Sequence, residues 1–280
     1  FRAMRPLLLL SPAKTMRFDS ALSPAISSAK PTQPLFENDA ELLARELSSL
    51  SCASLRQLMG VSAAIAELNE KRYAAFSQQP ARPAIGAFEG QAYQGLDAKS
   101  LGAQEIEYLQ GSLRILCGLY GVLRPLDLMR AYRLEMGTKF ACGGAANLYA
   151  FWGDRLTRAL ADDAAAAAAP FVLNIASAEY AKAVDLSALG VPVITASFPG
   201  PAVYAKTARG EMARFCAQRK LSDPSELQEF TGTHGQWAFV PSQSDERCYT
   251  FARRAAAKEP AEKRPPPAAA AAGRAKRRAR

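Results

Sequence analysis

Two short segments concentrate the side chains that can do chemistry. Ser11-Pro12-Ala13-Lys14-Thr15 follows the apolar run Leu7–Leu10 and sets one ammonium between two hydroxyl groups. Such a set suits a phosphate or a carboxylate, and the carboxyl ends of buried strands are where sites form in α/β proteins. Asn174, Ser177, Glu179, Tyr180 and Lys182 follow a second apolar run in the same way. Lys14, Glu135, Glu179 and Lys182 are therefore the candidate catalytic residues, since acids and amines that meet in space can pass protons. Other readings stay open: Lys14 stands at an ordinary strand exit, and Ser177 with Glu179 reads equally as a helix cap and a first-turn acid. The Gly-x-x-x-x-Gly-Lys frame is absent around Lys14, so nucleotide hydrolysis is not implied.

Residues 113–137 offer backbone chemistry instead. Gly118 and Gly121 follow apolar positions with helical spacing: Ile106, Leu109, Leu113 and Leu116. Two glycines three apart permit a sharp reversal. The pattern Leu-x-Gly-apolar-x-Gly resembles the turn of helix-hairpin-helix DNA-binding modules, where hairpin amides and the next helix N-terminus hold a phosphate. Arg114, Arg124, Arg130 and Arg133 surround it and suit an anionic partner. The same glycines also read as a helix C-cap and a close packing point. Pro125 restricts Arg124 away from helical geometry, so the second helix is expected only from about Leu126.

The elements that must position these residues follow from periodicity. Leu7–Leu10 is a continuous apolar run, and Phe171–Ile175 and Val191–Ala196 are short runs rich in β-branched or aromatic residues, the pattern of buried strands. Helical patterns cover Asp39–Leu50, Ala53–Met59, Ser62–Ser77, Ala103–Leu116, Leu148–Leu160, Tyr180–Asp185 and Val203–Lys220. The last puts Ala208, Met212 and Phe215 on one face and Lys206, Arg209 and Lys220 on the other. Residues 55–69 place a Gly-Val-Ser turn between helical halves, as helix-turn-helix readers do, but few of their side chains can read bases, so ordinary packing is expected. Tyr149, Phe151 and Trp152 are expected in the core rather than stacked on bases. The expected fold is α/β, or mixed α+β: one compact domain over residues 1–254, with a central, mostly buried sheet surrounded by helices and a helix-hairpin-helix-like segment.

Composition narrows the partners. Of nine net positive charges, the tail from Ala255 to Arg280 supplies six, with eight basic and two acidic residues, which leaves three for the body. A nucleic-acid site in the body therefore needs local clustering. The tail, rich in Ala, Pro, Lys and Arg, is expected to be disordered and solvated. The alanine-rich stretch Asp162–Pro170 reads as a helix extension without chemistry. Five scattered cysteines without a C-x-x-C pair point to a reducing compartment, and a single histidine, His234, rules out a histidine-rich metal site. No motif asks for a cofactor or a metal, and no run spans a membrane. The chain starts at Phe1, so a longer N-terminus with a transit peptide stays open beside the expected cytoplasmic location, with plastid or nucleus as alternatives.

LYGVLRPLDLM followed by YRLEMG resembles the YaaA family of peroxide-stress-response proteins. LLLLSPAKT at 7–15, FEGQAYQGL at 88–96, LYAFWGD at 148–154, NIASAEY at 174–180 and YAKTARGEMARF at 204–215 extend the resemblance in order from about Leu7 to Arg254. Cys117 stands where that family often has serine, and a small buried residue is the expected reading. The resemblance implies a single-domain intracellular protein that helps cells survive hydrogen peroxide, limits iron-dependent damage and binds double-stranded or branched DNA without strong sequence preference. With it, Ser11, Lys14, Thr15, Gly118, Tyr120, Gly121, Arg124, Arg133, Lys206 and Arg209 become the expected DNA or anion contacts. The alternative is an enzyme acting on a small anionic metabolite in a strand-end pocket built from SPAKT and NIASAEY.

Overall fold

The computed structural model describes residues 4–254. The basic tail from 255 lies outside the described residues. The first half of the chain runs β1 (Leu7–Leu10), β2 (Thr15–Met16), α1 (Pro24–Ser27), α2 (Glu37–Ser48), α3 (Cys52–Met59), α4 (Ala63–Ala74), β3 (Arg82–Pro83), α5 (Ala84–Ala87), β4 (Phe88–Glu89) and α6 (Gln91–Leu96). Then come α7 (Ala103–Ser112), β5 (Leu113–Cys117), β6 (Gly121–Leu123), β7 (Leu128–Met129), α8 (Leu148–Trp152) and α9 (Arg155–Ala166). The chain continues with β8 (Val172–Ile175), α10 (Ala178–Ala181), β9 (Val193–Ser197), α11 (Ala202–Arg219), β10 (Trp237–Phe239) and β11 (Cys248–Arg253).

Seven strands form the central sheet in the order β10-β11-β9-β8-β1-β5-β6. The five inner strands are parallel, and β6 and β10 pair antiparallel at the edges. A strand covered on both faces needs apolar residues throughout, and Leu7 to Leu10 are all fully buried. The architecture is α/β, with the expected buried sheet and helices around it.

Several local expectations give way. The helix expected to reach Leu116 stops at Ser112, and Leu113–Cys117 is a strand. The i, i+3 spacing of Leu113 and Leu116 imitates a helix, but a short apolar run carries no periodicity that tells a buried strand from a helix. The glycine pair therefore closes a β-hairpin, with Cys117 opposite Gly121 and Gly121 at φ 66°. No helix starts near Leu126; the chain turns at Pro125-Leu126, where the Asp127 amide donates to the Arg124 carbonyl, and then pairs briefly as β7 on β3. The helix expected over Leu148–Leu160 is split at Gly153, which turns with φ 53°.

α11 is not an amphipathic surface helix. It is wedged between the sheet and α6, with Ala205, Ala208, Met212 and Cys216 buried. A Cβ on Gly210 would overlap the Ala92 carbonyl, and one on Gly95 would overlap that of Thr207, so the crossing exists only because both residues are glycine.

Candidate functional site

At the carboxyl edge of the sheet β1 and β8 lie side by side. Counted among the five parallel strands alone, the order is 2-1-3-4-5, and the crevice where it reverses lies between the first and third, which are β1 and β8. Ser11 and Ser177 close that seam: the Ser177 amide donates to Ser11 Oγ at 2.8 Å, and the two hydroxyls lie 3.2 Å apart. The Tyr93 hydroxyl on α6 donates to the Ser11 carbonyl at 3.2 Å.

The loop carrying YRLEMG folds over this seam. Lys14 Nζ meets Glu135 Oε2 at 2.5 Å, and Arg133 reaches the other oxygen of the same carboxylate at 3.2 Å. Glu179, in the first turn of α10, accepts the Gly137 amide at 2.9 Å and so clips the loop to the sheet edge. Lys182 Nζ lies 5.0 Å from the Tyr149 ring centre, and the Tyr149 hydroxyl donates to the Glu179 carbonyl at 2.9 Å. Pro12, Lys14, Tyr132, Arg133, Glu135 and Tyr180 line the resulting narrow cleft.

Neutral groups surround these charges, with Tyr132 and Tyr180 in the cleft wall and Tyr93 and Cys117 buried elsewhere in the core. Burial pushes the Tyr93 and Tyr132 phenols well above their ordinary range, and burial followed by the Glu179 charge does the same for Tyr180. Burial also pushes the Cys117 thiol up to about 12, so it is a thiol and not a thiolate at neutral pH. The paired ammonium and carboxylate of Lys14 and Glu135 can exchange a proton in this cleft.

Of the four candidate catalytic residues, Lys14 and Glu135 touch each other directly, while Glu179 and Lys182 stand at the rim as clamp and cation. Asn174 turns inward, donating to Thr195 Oγ1 at 3.3 Å and accepting the Ala176 amide at 3.1 Å, which makes it a brace for the strand end. Thr15 is exposed in β2 beside the cleft. Lys206 is exposed on α11. Arg209 is partly withdrawn, with its Nε buried and unpartnered and its basicity lowered by burial. No residue of the YAKTARG segment lines the narrow cleft at the crevice.

The 118–124 hairpin does not offer the expected phosphate cradle. Tyr120 is 0% exposed, and its hydroxyl accepts the Arg130 amide at 2.9 Å. Gly118 packs on the Leu134 backbone and gives its carbonyl to Trp152 Nε1 at 3.0 Å, while a Cβ on Gly121 would stand 2.9 Å from the Trp152 ring. Arg124 is spent on Asp127 at 3.0 Å and on the Gln33 carbonyl at 2.9 Å, and the buried Arg114 pairs with Asp163 of the alanine-rich stretch at 2.5 Å. The glycines serve close packing.

A helical hairpin does occur, at 52–74. α3 ends at Gly60 in the left-handed region (φ 60°, ψ 42°), Val61 follows, and Ser62 caps α4 through the Ile65 amide at 3.4 Å. Ser62, Ala63 and Ala64 are exposed, the first turn of α4 holds no acid, and Arg56 stands exposed on the last turn of α3. Free amides at a helix N-terminus beside a cation are an anion site in form. The Leu-Met-Gly-Val-Ser string was the signal for it. Tyr93 and Tyr132 are not legible as site residues in the sequence, because their roles come from contacts far apart in the chain.

Among the described residues no cluster of His, Cys, Asp and Glu could hold a metal ion, and no helix is long and apolar enough to cross a membrane. The model of the family described as peroxide stress protein YaaA matches residues 7–243. A UPF0246 protein of Dinoroseobacter shibae is 44% identical over 267 residues, covering 91% of this chain and 97% of the relative. UPF0246 proteins of Burkholderia cenocepacia and Chromobacterium violaceum are 42% and 44% identical over 262 residues, each aligned over 98% of its own length and covering 89% and 88% of this chain. The chain therefore belongs to the peroxide stress protein YaaA family.

Proposed function

We propose that this protein serves the response to hydrogen peroxide by binding DNA without sequence preference, which shields the duplex from iron-dependent peroxide damage. One observation carries the reading: the α3–Gly60-Val61–α4 hairpin presents the exposed amide end of α4 beside Arg56. Backbone amides bind phosphate and carry no sequence information, and Ala63 and Ala64 in the first turn of α4 cannot read base edges. The contact surface thus moves from the 118–124 hairpin to residues 56–64, and Lys206 remains an exposed cation on another helix.

The direct test is a duplex titration across a salt series. Affinity is expected to fall linearly on a log–log scale with a slope of about −0.9 per phosphate contacted, and to be similar for unrelated sequences. Plasmid nicking by ferrous iron and peroxide should decline as the protein saturates the DNA. No duplex binding at low salt would falsify the proposal.

A second reading rests on the strand-end crevice. The Lys14–Glu135 pair at the strand-order reversal suits an enzyme acting on a small anionic metabolite. Ligand-observed NMR with small carboxylates and phosphate esters tests it: a response lost in Lys14→Ala supports the enzyme, and an unchanged response counts against it.

A further inference from the structure

Arg72 and Arg133 come together from distant parts of the chain. Tyr73 makes the junction: its buried hydroxyl donates to the Arg133 carbonyl at 2.8 Å and accepts the Arg133 amide at 3.3 Å. The residue before it, Arg72, lines a cavity of about 360 Å³ with Met16, Arg17, Gln79 and Ala131. Arg133 lines the adjoining cleft, and Met16 borders both, so one groove runs between 12–19 and 131–135.

The charges in this groove do not cancel. Arg17 is answered by Glu89 at 2.5 Å. Lys14 and Arg133 share the single carboxylate of Glu135. Arg72 has no ion pair among the described residues, and its side chain's hydrogen bond there is the long 3.5 Å contact to Asn69 Oδ1. Arg133 keeps its Nε buried without a partner. Asp19 also lines the cavity but is exposed. The Arg72 guanidinium has lowered basicity, from burial first, with the Tyr73 phenol opposing and the Arg133 charge adding to it, so the two cations feel each other across adjoining cavities. A tetrahedral oxyanion relieves both costs, because its oxygens accept guanidinium donors in pairs.

We propose that Arg72 and Arg133 form a phosphate-binding subsite in the groove between residues 12–19 and 131–135. Ser62 and Arg72 are ten residues apart on α4, roughly 15 Å at 1.5 Å per residue, so the subsite is separate from the hairpin's amide end. The phosphate comes either from a DNA backbone or from a free phosphorylated compound. Glu135 competes with it for Arg133.

Calorimetric titration of the whole chain with inorganic phosphate tests the subsite. Saturable binding is expected, weakened about tenfold or more in Arg72→Gln, which removes a charge-assisted pair. Lys71→Gln, an exposed neighbour, should bind as the unchanged protein does. Glu135→Gln should tighten phosphate binding several-fold, since it frees Arg133 and Lys14; a merely structural arginine pair would give no gain. Thermal melts check that each variant is folded. Ala64→Glu, which tests the hairpin, should leave intact the phosphate binding that Arg72→Gln weakens, so failure of the DNA reading and failure of the subsite are distinguishable. Displacement of phosphate by short duplex DNA assigns the ligand to the backbone, and persistence beside bound duplex assigns it to a free compound; both support the subsite. Absence of phosphate binding, equal binding by Arg72→Gln, or no gain in binding by Glu135→Gln overturns it.

Discussion

Ser11 ties the crevice together through one oxygen, which takes the Ser177 amide at 2.8 Å and so sets α10 against the exit of β1. Ser11→Ala leaves that amide without its acceptor and should cost about 1 kcal/mol in denaturant unfolding, with the fold retained. Cys117 shows the opposite case, a reactive residue type in an inert setting. Its Sγ accepts the Tyr120 amide at 3.1 Å in the core. Burial raises its pKa from the ordinary 9.0 to about 12, so the associated stability is complete below pH 9 and declines as pH rises toward 12. The urea midpoint should therefore fall less steeply above pH 9 in Cys117→Ser than in the unchanged chain. Under native conditions at neutral pH, iodoacetamide should leave Cys117 unmodified and label it only in denaturant.

Elements were legible in the sequence to the extent that their periodicity was local. The run Leu7–Leu10 ends at a hydroxyl and a proline and is a strand, and Phe171–Ile175 behaves alike. Leu113–Cys117 escaped because Arg114 interrupts the run, although its charge is buried against Asp163 from α9, a partner that no local pattern reveals. The helical hairpin was visible as Leu-Met-Gly-Val-Ser, yet its weight depended on knowing that Ala63 and Ala64 face solvent. SPAKT and NIASAEY were legible as strand exits, whereas Tyr93 entered the site only through the glycine contact of α6 with α11. That contact gives a sharp expectation. Gly210→Ala pushes a methyl into the Ala92 carbonyl and should cost about 3 kcal/mol, lowering the melting temperature by roughly 6–12 °C.

For the whole molecule, charge placement matters more than net charge. Six of the nine excess positive charges belong to the tail from 255, so the high overall basicity says little about the body. Within the body many arginines are consumed by ion pairs, as Arg114, Arg124 and Arg155 are. Two places are proposed for an anionic partner, the α4 amide end and the groove of Arg72 and Arg133. Ala64→Glu tests the first of these most directly. A carboxylate in the first turn of α4 favours the helix by about 0.5 kcal/mol through its dipole, so the fold is kept, while the same charge opposes a phosphate at those amides. Duplex binding of this variant, measured beside the unchanged protein at low salt, should fall at least about tenfold, the loss of one charge-assisted phosphate contact with added repulsion. Equal affinity in the two proteins would contradict DNA binding through the α3–α4 hairpin.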